Sequence, residues 1–261
     1  MKVVIKIGGA ALENKATLQK CAHAVVDLAK DSHQIVVVHG GGSALTRTLK
    51  LLGKESNFVN GLRITDAETR DVAVMVLAGV VNKNLVAAIA AAGAPAVGLC
   101  GGDGLAFRAR KKQNDGQDLG FVGEIASFEA RWLDAIWAQG GIPVLSSVAL
   151  GTDGEYYNVN ADQMAAACAI GCHANALIFL TDVAGVKDAE GLVMPWLNTS
   201  QIASMVATSV IGGGMLPKLE ACNQALKRGV GRVRIFPAAE AEALPQFYFA
   251  RLASGTEVIA A

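Results

Sequence analysis

Short runs of β-branched and aliphatic residues recur along this chain, separated by stretches whose apolar residues fall at three- and four-residue spacing. This alternation constrains the fold more than any other feature. Its βαβα order is met by a mainly parallel sheet with helices on both faces. Residues 3–7 read as the first core strand, and Leu18, Cys21, Val25 and Leu28 then recur on a helix. Residues 35–39 are a second strand, followed by a helix carrying Leu45, Leu49 and Leu52 and stopped by Gly53. Residues 58–64 read as a hairpin around a type I′ Asn60-Gly61 turn. Thr65 and Glu68 form a candidate capping box for a long helix, and the apolar stretch 72–92 reads as a buried helix or helix pair. Residues 96–100 are a third core strand, and residues 107–125, centred on Asp115-Gly116, alternate like an exposed hairpin. Phe128, Trp132 and Ile136 fall on one side of a helix ending at Gly140. Residues 142–148, 177–181 and 232–236 are further strands. Asn160-Ala161-Asp162 opens an alanine-rich helix, and Met215, Leu219, Cys222 and Leu226 form another helical stripe. With no internal repeat or linker, the expectation is a single domain, 1–261, made of two lobes of one continuous sheet.

Composition excludes several function classes. Apolar residues make up 52% of the chain and aromatics only 5%, with 29 glycines. Such a chain packs small-residue helices tightly on a Val/Ile sheet and keeps glycines for phosphate-binding turns. Lys plus Arg number 23 and Asp plus Glu 23, so no global field draws the protein to nucleic acid or membrane. An anionic ligand must be held by local charges and backbone amides. The basic run Arg108, Arg110, Lys111, Lys112 reads as a solvated strand face, since a nucleic-acid site would add stacking aromatics. The five cysteines are scattered, and Cys168 and Cys172 lack a second Cys/His pair of matching spacing. They read as small buried residues, not metal ligands, and reduced thiols predict the cytoplasm. The opening Met1-Lys2-Val3-Val4 runs straight into a strand and predicts no signal peptide. No membrane span is expected either, because Asn82-Lys83-Asn84 interrupts the longest apolar stretch.

The common nucleotide signatures are missing. There is no G-x-x-x-x-G-K-[ST] loop, no G-x-G-x-x-G after the first strand and no G-x-S-x-G elbow. Two glycine clusters stand instead at the carboxyl ends of the first two strands, Lys6-Ile7-Gly8-Gly9 and His39-Gly40-Gly41-Gly42-Ser43. Ligands of open α/β sheets bind at that edge. Glycines there bring bare amides and a helix N-terminus against an anion. Lys6 interrupts an apolar strand, where an unpaired ammonium is costly to bury. A carboxylate such as Asp162 would offset that cost and could hold two lysines at once. Arg63, on the hairpin, has the bidentate fork suited to a carboxylate. Asn158 and Asn160 stand two apart, so that one can face a ligand while the other caps the helix. Asp103, in Gly101-Gly102-Asp103-Gly104, either approaches the substrate or makes the turn, and stands outside the catalytic set.

Lys6-Ile-Gly-Gly, His39-Gly-Gly-Gly, Asn60-Gly-Leu-Arg63-Ile-Thr, Val81-Asn-Lys, Asn158-Val-Asn-Ala-Asp162-Gln, Thr181-Asp-Val-Ala-Gly and Gly213-Gly-Met-Leu-Pro-Lys218 resemble, in order and spacing, the acetylglutamate kinases of the amino-acid kinase superfamily. The resemblance spans nearly the whole chain. It implies a three-layer αβα sandwich with an acyl-amino-acid-binding lobe (1–150) and an ATP-binding lobe (151–261). It also implies transfer of the γ-phosphoryl group of ATP, carried with Mg²⁺, to the γ-carboxylate of N-acetyl-L-glutamate in arginine biosynthesis. Lys6 and Lys218 become the stabilisers of phosphoryl charge and Asp162 their orienting carboxylate. Gly8, Gly9 and Gly41 become phosphate-binding, and Gly41, Gly42, Arg63 and Asn158 substrate-binding, with Asn160 left as a cap. Asp182, Val183, Ala184, Gly185, Val186 and Lys187, with Val210, Ile211 and Gly212, become nucleotide-binding. Two departures stand out: Gly212-Gly213-Gly214 is unusually glycine-rich, and Pro217 precedes Lys218. The rival expectations are a kinase of carrier-bound glutamate or aminoadipate, and a catalytically silent amino-acid-binding regulatory protein. Arginine-inhibited members carry an N-terminal helical extension, and only five residues precede Lys6 here. The expectation is an arginine-insensitive homodimer joined through residues 72–92.

Overall fold

The computed structural model describes residues 1–113, 116–247 and 254–260. From the N-terminus come β1 (Lys2–Ile7), α1 (Gly9–Glu13), α2 (Lys15–Lys30), β2 (Gln34–His39) and α3 (Gly42–Leu51). The hairpin β3 (Phe58–Val59) and β4 (Leu62–Arg63) leads to α4 (Ala67–Ala73), a π-helical stretch (Val74–Val81), α5 (Asn82–Ala91) and β5 (Ala96–Leu99). Next are β6 (Phe107–Lys111), β7 (Val122–Phe128), α6 (Arg131–Ala138), β8 (Ile142–Ser146), β9 (Val148–Gly151) and β10 (Tyr156–Val159). The C-terminal part holds α7 (Ala161–Gly171), β11 (Ala176–Thr181), β12 (Trp196–Asn198), α8 (Thr199–Ala207), α9 (Met215–Lys227), β13 (Arg232–Pro237), α10 (Leu244–Phe247) and β14 (Thr256–Ile259).

Eight strands form one sheet in the order β12-β14-β13-β11-β1-β2-β8-β5. Every neighbouring pair in it is parallel except β13 with β14. The two-residue period of a strand then sorts the core into two layers. Val3, Ile5, Ile7, Val37 and Ile178 pack with Cys21, Val25 and Leu28 of α2 and with Leu85 and Ile89 of α5. Val4, Val36, Val38, Phe179 and Ile235 pack on the other face with Ala165, Cys168 and Ala169 of α7 and Cys222 and Ala225 of α9. The result is a three-layer αβα sandwich about a mainly parallel sheet. Lys6 shares a face with Val4, so its side chain must point toward α7 and α9.

Several sequence expectations change. Asp66, not Thr65, caps α4, its side chain accepting from the Thr69 amide; Thr65 is fully buried and its hydroxyl donates to the Arg63 carbonyl. β5 is an edge strand and only partly buried, because it pairs with β8 alone. Phe128 ends β7 rather than joining α6. The stretch read as an exposed hairpin supplies β6 and β7, which close with β9 and β10 into a small four-stranded barrel; Phe107 and Ala109 lie in the core. Asp115, at its predicted turn, lies outside the described residues. Asn82-Lys83-Asn84 does not interrupt the long helix. The run Ala67–Ala91 is continuous, with a mean hydropathy of 2.0 in its most apolar window, and is long and apolar enough to cross a membrane by length and composition. In the fold 44% of that window is buried, with Val76, Leu77 and Val81 packed on α3.

Candidate active site

At the carboxyl edge of the sheet, Lys6, Asp162 and Lys218 meet. Asp162 sits in the first turn of α7, and the Asn160 side chain caps that helix by accepting from the amides of Asp162 and Gln163. Lys218 sits in the first turns of α9. Pro217 is tolerated just before it, because amides in a first helical turn have no intrahelical partner to lose. Gly213, at φ +56°, turns the chain into that helix. The Lys6 ammonium lies 2.9 Å from Asp162 Oδ1 and that of Lys218 3.1 Å from Oδ2. All three residues are buried. Burial opposes the Asp162 charge, but the two ammonium groups outweigh it and hold the carboxyl below its usual range. Burial and the facing Lys6 lower the Lys218 pKa against the pull of Asp162. Two cations against one anion leave the trio one positive charge in excess.

Two cavities flank the trio. The first, about 220 Å³, is lined by Lys6, Gly9, Gly41, Gly42, Arg63, Asn158 and Asp162, among others. Arg63 is buried there with its guanidinium donating to the Gly42 carbonyl (3.0 Å), Thr46 Oγ1 (2.7 Å) and Ser56 Oγ. Phe58 lies against it, 4.6 Å from guanidinium carbon to ring centre. Burial lowers its pKa, and among the described residues its guanidinium hydrogen-bonds no carboxylate. Asn158 Nδ2 donates to Thr65 Oγ1, and Thr65 holds the Arg63 carbonyl, so the two predicted substrate residues are braced through one threonine.

The second cavity, about 520 Å³, shares Lys6, Gly9 and Gly42 with the first and adds Gly8, Thr181, Asp182, Val183 and Lys218. Beyond Val183 the predicted nucleotide segment leaves the cavity. Gly185, at φ +150°, packs where a Cβ would come 2.7 Å from Thr256 Oγ1, and the buried Val186 donates its amide to that same hydroxyl. Ala184 and Lys187 lie beside them, Lys187 bridging to Val193. Val210, Ile211 and Gly212 lie between α8 and α9, outside the cavity lining, with Ile211 buried in the core. The sequence reading missed Thr46, Phe58, Ser147 and Thr181, which line or brace these cavities. Thr46 carried a readable signal: it follows Gly42 by one helical turn, and its hydroxyl returns to the Gly42 carbonyl.

This arrangement, bare glycine amides and two lysines around one aspartate at the edge of a parallel sheet, defines a phosphoryl- or carboxylate-binding α/β protein. The sequence profile described as the amino acid kinase family matches residues 1–237, and the chain belongs to that family. It is 62% identical to the acetylglutamate kinase of Acidobacterium capsulatum over 260 residues, covering 100% of both chains. It is 57% identical to the acetylglutamate kinase of Koribacter versatilis over 260 residues, covering 100% of this chain and 99% of the other. Among solved structures, smu.665 from Streptococcus mutans superposes with a TM-score of 0.83 at 27% identity, covering 99% of this chain and 98% of that one. The N-acetylglutamate synthase of Neisseria gonorrhoeae, complexed with coenzyme A and N-acetyl-glutamate, superposes with a TM-score of 0.87 at 26% identity. That match covers 99% of this chain and 59% of the synthase.

Proposed function

We propose that this chain phosphorylates the γ-carboxylate of N-acetyl-L-glutamate with ATP, as a step of arginine biosynthesis. The observation that carries the reading is the pair of cavities meeting at Lys6, Asp162 and Lys218, one holding a buried arginine that has no carboxylate partner among the described residues, the other a lysine and strand-end amides. The relatives named acetylglutamate kinase, matched over their full length, support it. In this reading residues 1–150 form the acyl-amino-acid lobe and residues 151–261 the nucleotide lobe.

Arg63 grips the substrate α-carboxylate and Asn158 hydrogen-bonds beside it, leaving the γ-carboxylate directed at the amides of Gly41 and Gly42. A γ-carboxylate oxygen attacks the γ-phosphorus of ATP, and the bond to the β,γ-bridging oxygen breaks, giving the acyl phosphate and ADP. The nucleophile is already ionised at neutral pH, so no general base is required. The protein supplies in-line placement and charge neutralisation. Lys6 reaches both cavities and Lys218 the nucleotide side, while Asp162 keeps the two ammonium groups apart and aimed. Gly8 and Gly9 offer strand-end amides to phosphate, and Asp182 and Val183 lie against the nucleotide in the second cavity. Among the described residues one carboxylate, Asp182, lines the second cavity, which suits a Mg²⁺ carried largely by phosphate oxygens and water. That ion would neutralise phosphate charge. We place the enzyme in the cytoplasm, in keeping with its five free cysteines.

The test is ADP release with N-acetyl-L-glutamate, glutamate and aminoadipate supplied side by side. Turnover specific to the acetylated substrate is expected; equal or greater turnover of the others, or none with any, overturns the reading.

A further inference from the structure

The glycine turn after β2 is held by polar groups that lie outside both cavities. His39, the last residue of β2, is completely buried, and so is Asn82, the first residue of α5. The imidazole Nδ1 lies 2.7 Å from the Gly40 carbonyl, and Nε2 lies 3.0 Å from Asn82 Nδ2. A carbonyl oxygen only accepts, so Nδ1 carries the proton and Nε2 accepts from the amide. Asn82 Nδ2 makes a second donation, 3.0 Å to the Val144 carbonyl of β8. That bond fixes which end of the Asn82 amide faces the imidazole. Its Oδ1 receives Lys83 Nζ at 3.3 Å. Gly98 on β5 makes room for this cluster, since a Cβ there would come 1.9 Å from Asn82 Oδ1.

Each carbonyl of the turn is therefore occupied. Gly40 O accepts from His39, Gly41 O from the Leu45 amide (2.9 Å), and Gly42 O from Arg63 and Thr46. Gly41 itself sits at φ +148°, with the π-helical stretch so close that a Cβ would meet Leu77 Cδ2 at 2.8 Å. π-Helical segments concentrate at functional sites, and this one delivers both Leu77 to the turn and Asn82 to the imidazole. With every carbonyl anchored behind it, the turn has its Gly41 and Gly42 amides left for a ligand. A neutral imidazole is required, because a second proton would take the lone pair that accepts from Asn82. Burial, helped by the charge of Lys6, depresses the His39 pKa to about 4.

We propose that His39 and Asn82 are positioning residues, a buried relay that fixes the Gly40–Gly42 turn so that its amides meet the attacking γ-carboxylate and the charge developing on the phosphoryl group it takes up. This rests on the kinase reading above. His39→Leu removes the donor to Gly40, and Asn82→Ala removes the brace behind the imidazole. His39→Asn retains a donor at the place of Nδ1.

Wild-type turnover of acetylglutamate is measured first, since its absence refutes the kinase reading and not the relay. Given that turnover, kcat per nucleotide-binding site should fall about 10- to 100-fold in His39→Leu, less than the roughly 10²- to 10³-fold for an oxyanion donor removed outright, because the amides are displaced and not lost. Asn82→Ala should lose about threefold or more, and His39→Asn should recover at least a third of the wild-type kcat. The KM for ATP should stay within twofold in all three. Residues that only stabilise the fold would lower the number of nucleotide-binding sites and leave kcat per site unchanged. Unchanged kcat per site in His39→Leu, or in Asn82→Ala should the first variant not fold, overturns the proposal. A ¹⁵N-histidine spectrum of the wild-type protein at pH 7 gives an independent reading: His39 should show the neutral tautomer protonated at Nδ1. A proton at Nε2, or a charged ring, overturns the relay.

Discussion

Asp162 is the residue on which two buried ammonium groups depend. Replacing it with asparagine keeps the shape but leaves Lys6 and Lys218 facing each other without an anion. Breaking a buried ion pair from one side costs about 3–5 kcal/mol. Urea unfolding of Asp162→Asn without ligand should show a loss of that order, together with a fall in kcat. Lys6→Ala and Lys218→Ala each leave a neutralised pair, so their main effect falls on catalysis. Each should lower kcat by about 10²- to 10³-fold, and the double variant by less than the product, because the trio acts as one unit. Steady-state kinetics decides: near-normal kcat in either variant removes that lysine from the mechanism. His39 adds a pH dependence of stability. Its folded pKa of about 4 lies below the ordinary 6.5, so between those values the unfolded chain binds more protons than the folded one. Stability contributed by the neutral ring is therefore complete above pH 6.5 and lost as the pH falls toward 4, by up to about 1.4 kcal/mol per unit. Comparing urea midpoints at pH 7.5 and 5.5, the wild type should lose more than His39→Asn; equal losses would falsify the assignment.

At the scale of elements, the long helix carries an unresolved apolar surplus. Met75 is 61% exposed and Val80 62%, although Val76, Leu77 and Val81 beside them are buried. The homodimer expected through residues 72–92 places those exposed side chains against a second copy. Met75→Glu with Val80→Glu should convert a dimer to a monomer in light scattering; a wild-type monomer, or an undisturbed dimer, refutes that interface. What could be read in advance follows from periodicity. β1, β2, β11 and β13 announced themselves because strands buried on both faces are dominated by aliphatic, aromatic and β-branched residues, even where Lys6 or Arg234 intervenes. β12 and β14 escaped notice, because strands of only three and four residues with exposed Trp196 and Ile259 carry little pattern. The barrel was read as a free hairpin because alternation reports that one face of a strand is buried, not what covers it. The π-helical stretch is invisible to a 3.6-residue period. For the site, strand-end glycines and the odd lysine within β1 were legible, whereas the Asn82–His39 contact joins residues 43 apart and has no local signal.

The whole molecule sets Arg63 and Lys218 in two cavities that share one wall, and on the proposed function this makes the two ligands separable. Arg63 lines only the first cavity and Lys218 only the second, whereas Lys6 lines both. A ligand that binds the folded state stabilises it by RT ln(1 + [L]/Kd), about 2.7 kcal/mol at a hundredfold excess over Kd. For a chain of this size that is a rise in melting temperature of about 5–10 °C. Wild-type protein should show such a shift with acetylglutamate and, separately, with a non-hydrolysable ATP analogue. Arg63→Ala loses a charge-assisted bidentate contact worth about 1.5–3 kcal/mol. It should therefore abolish most of the acetylglutamate shift at the same concentration and leave the nucleotide shift in place. Lys218→Ala should do the reverse, and Lys6→Ala should weaken both. Differential scanning fluorimetry of the four proteins, each with no ligand, with one and with the other, checks the pattern. If Arg63→Ala diminishes the nucleotide shift as much as the acetylglutamate shift, the two cavities do not hold different ligands. The division of labour between the halves of the sheet then fails, even if the protein proves to be a kinase.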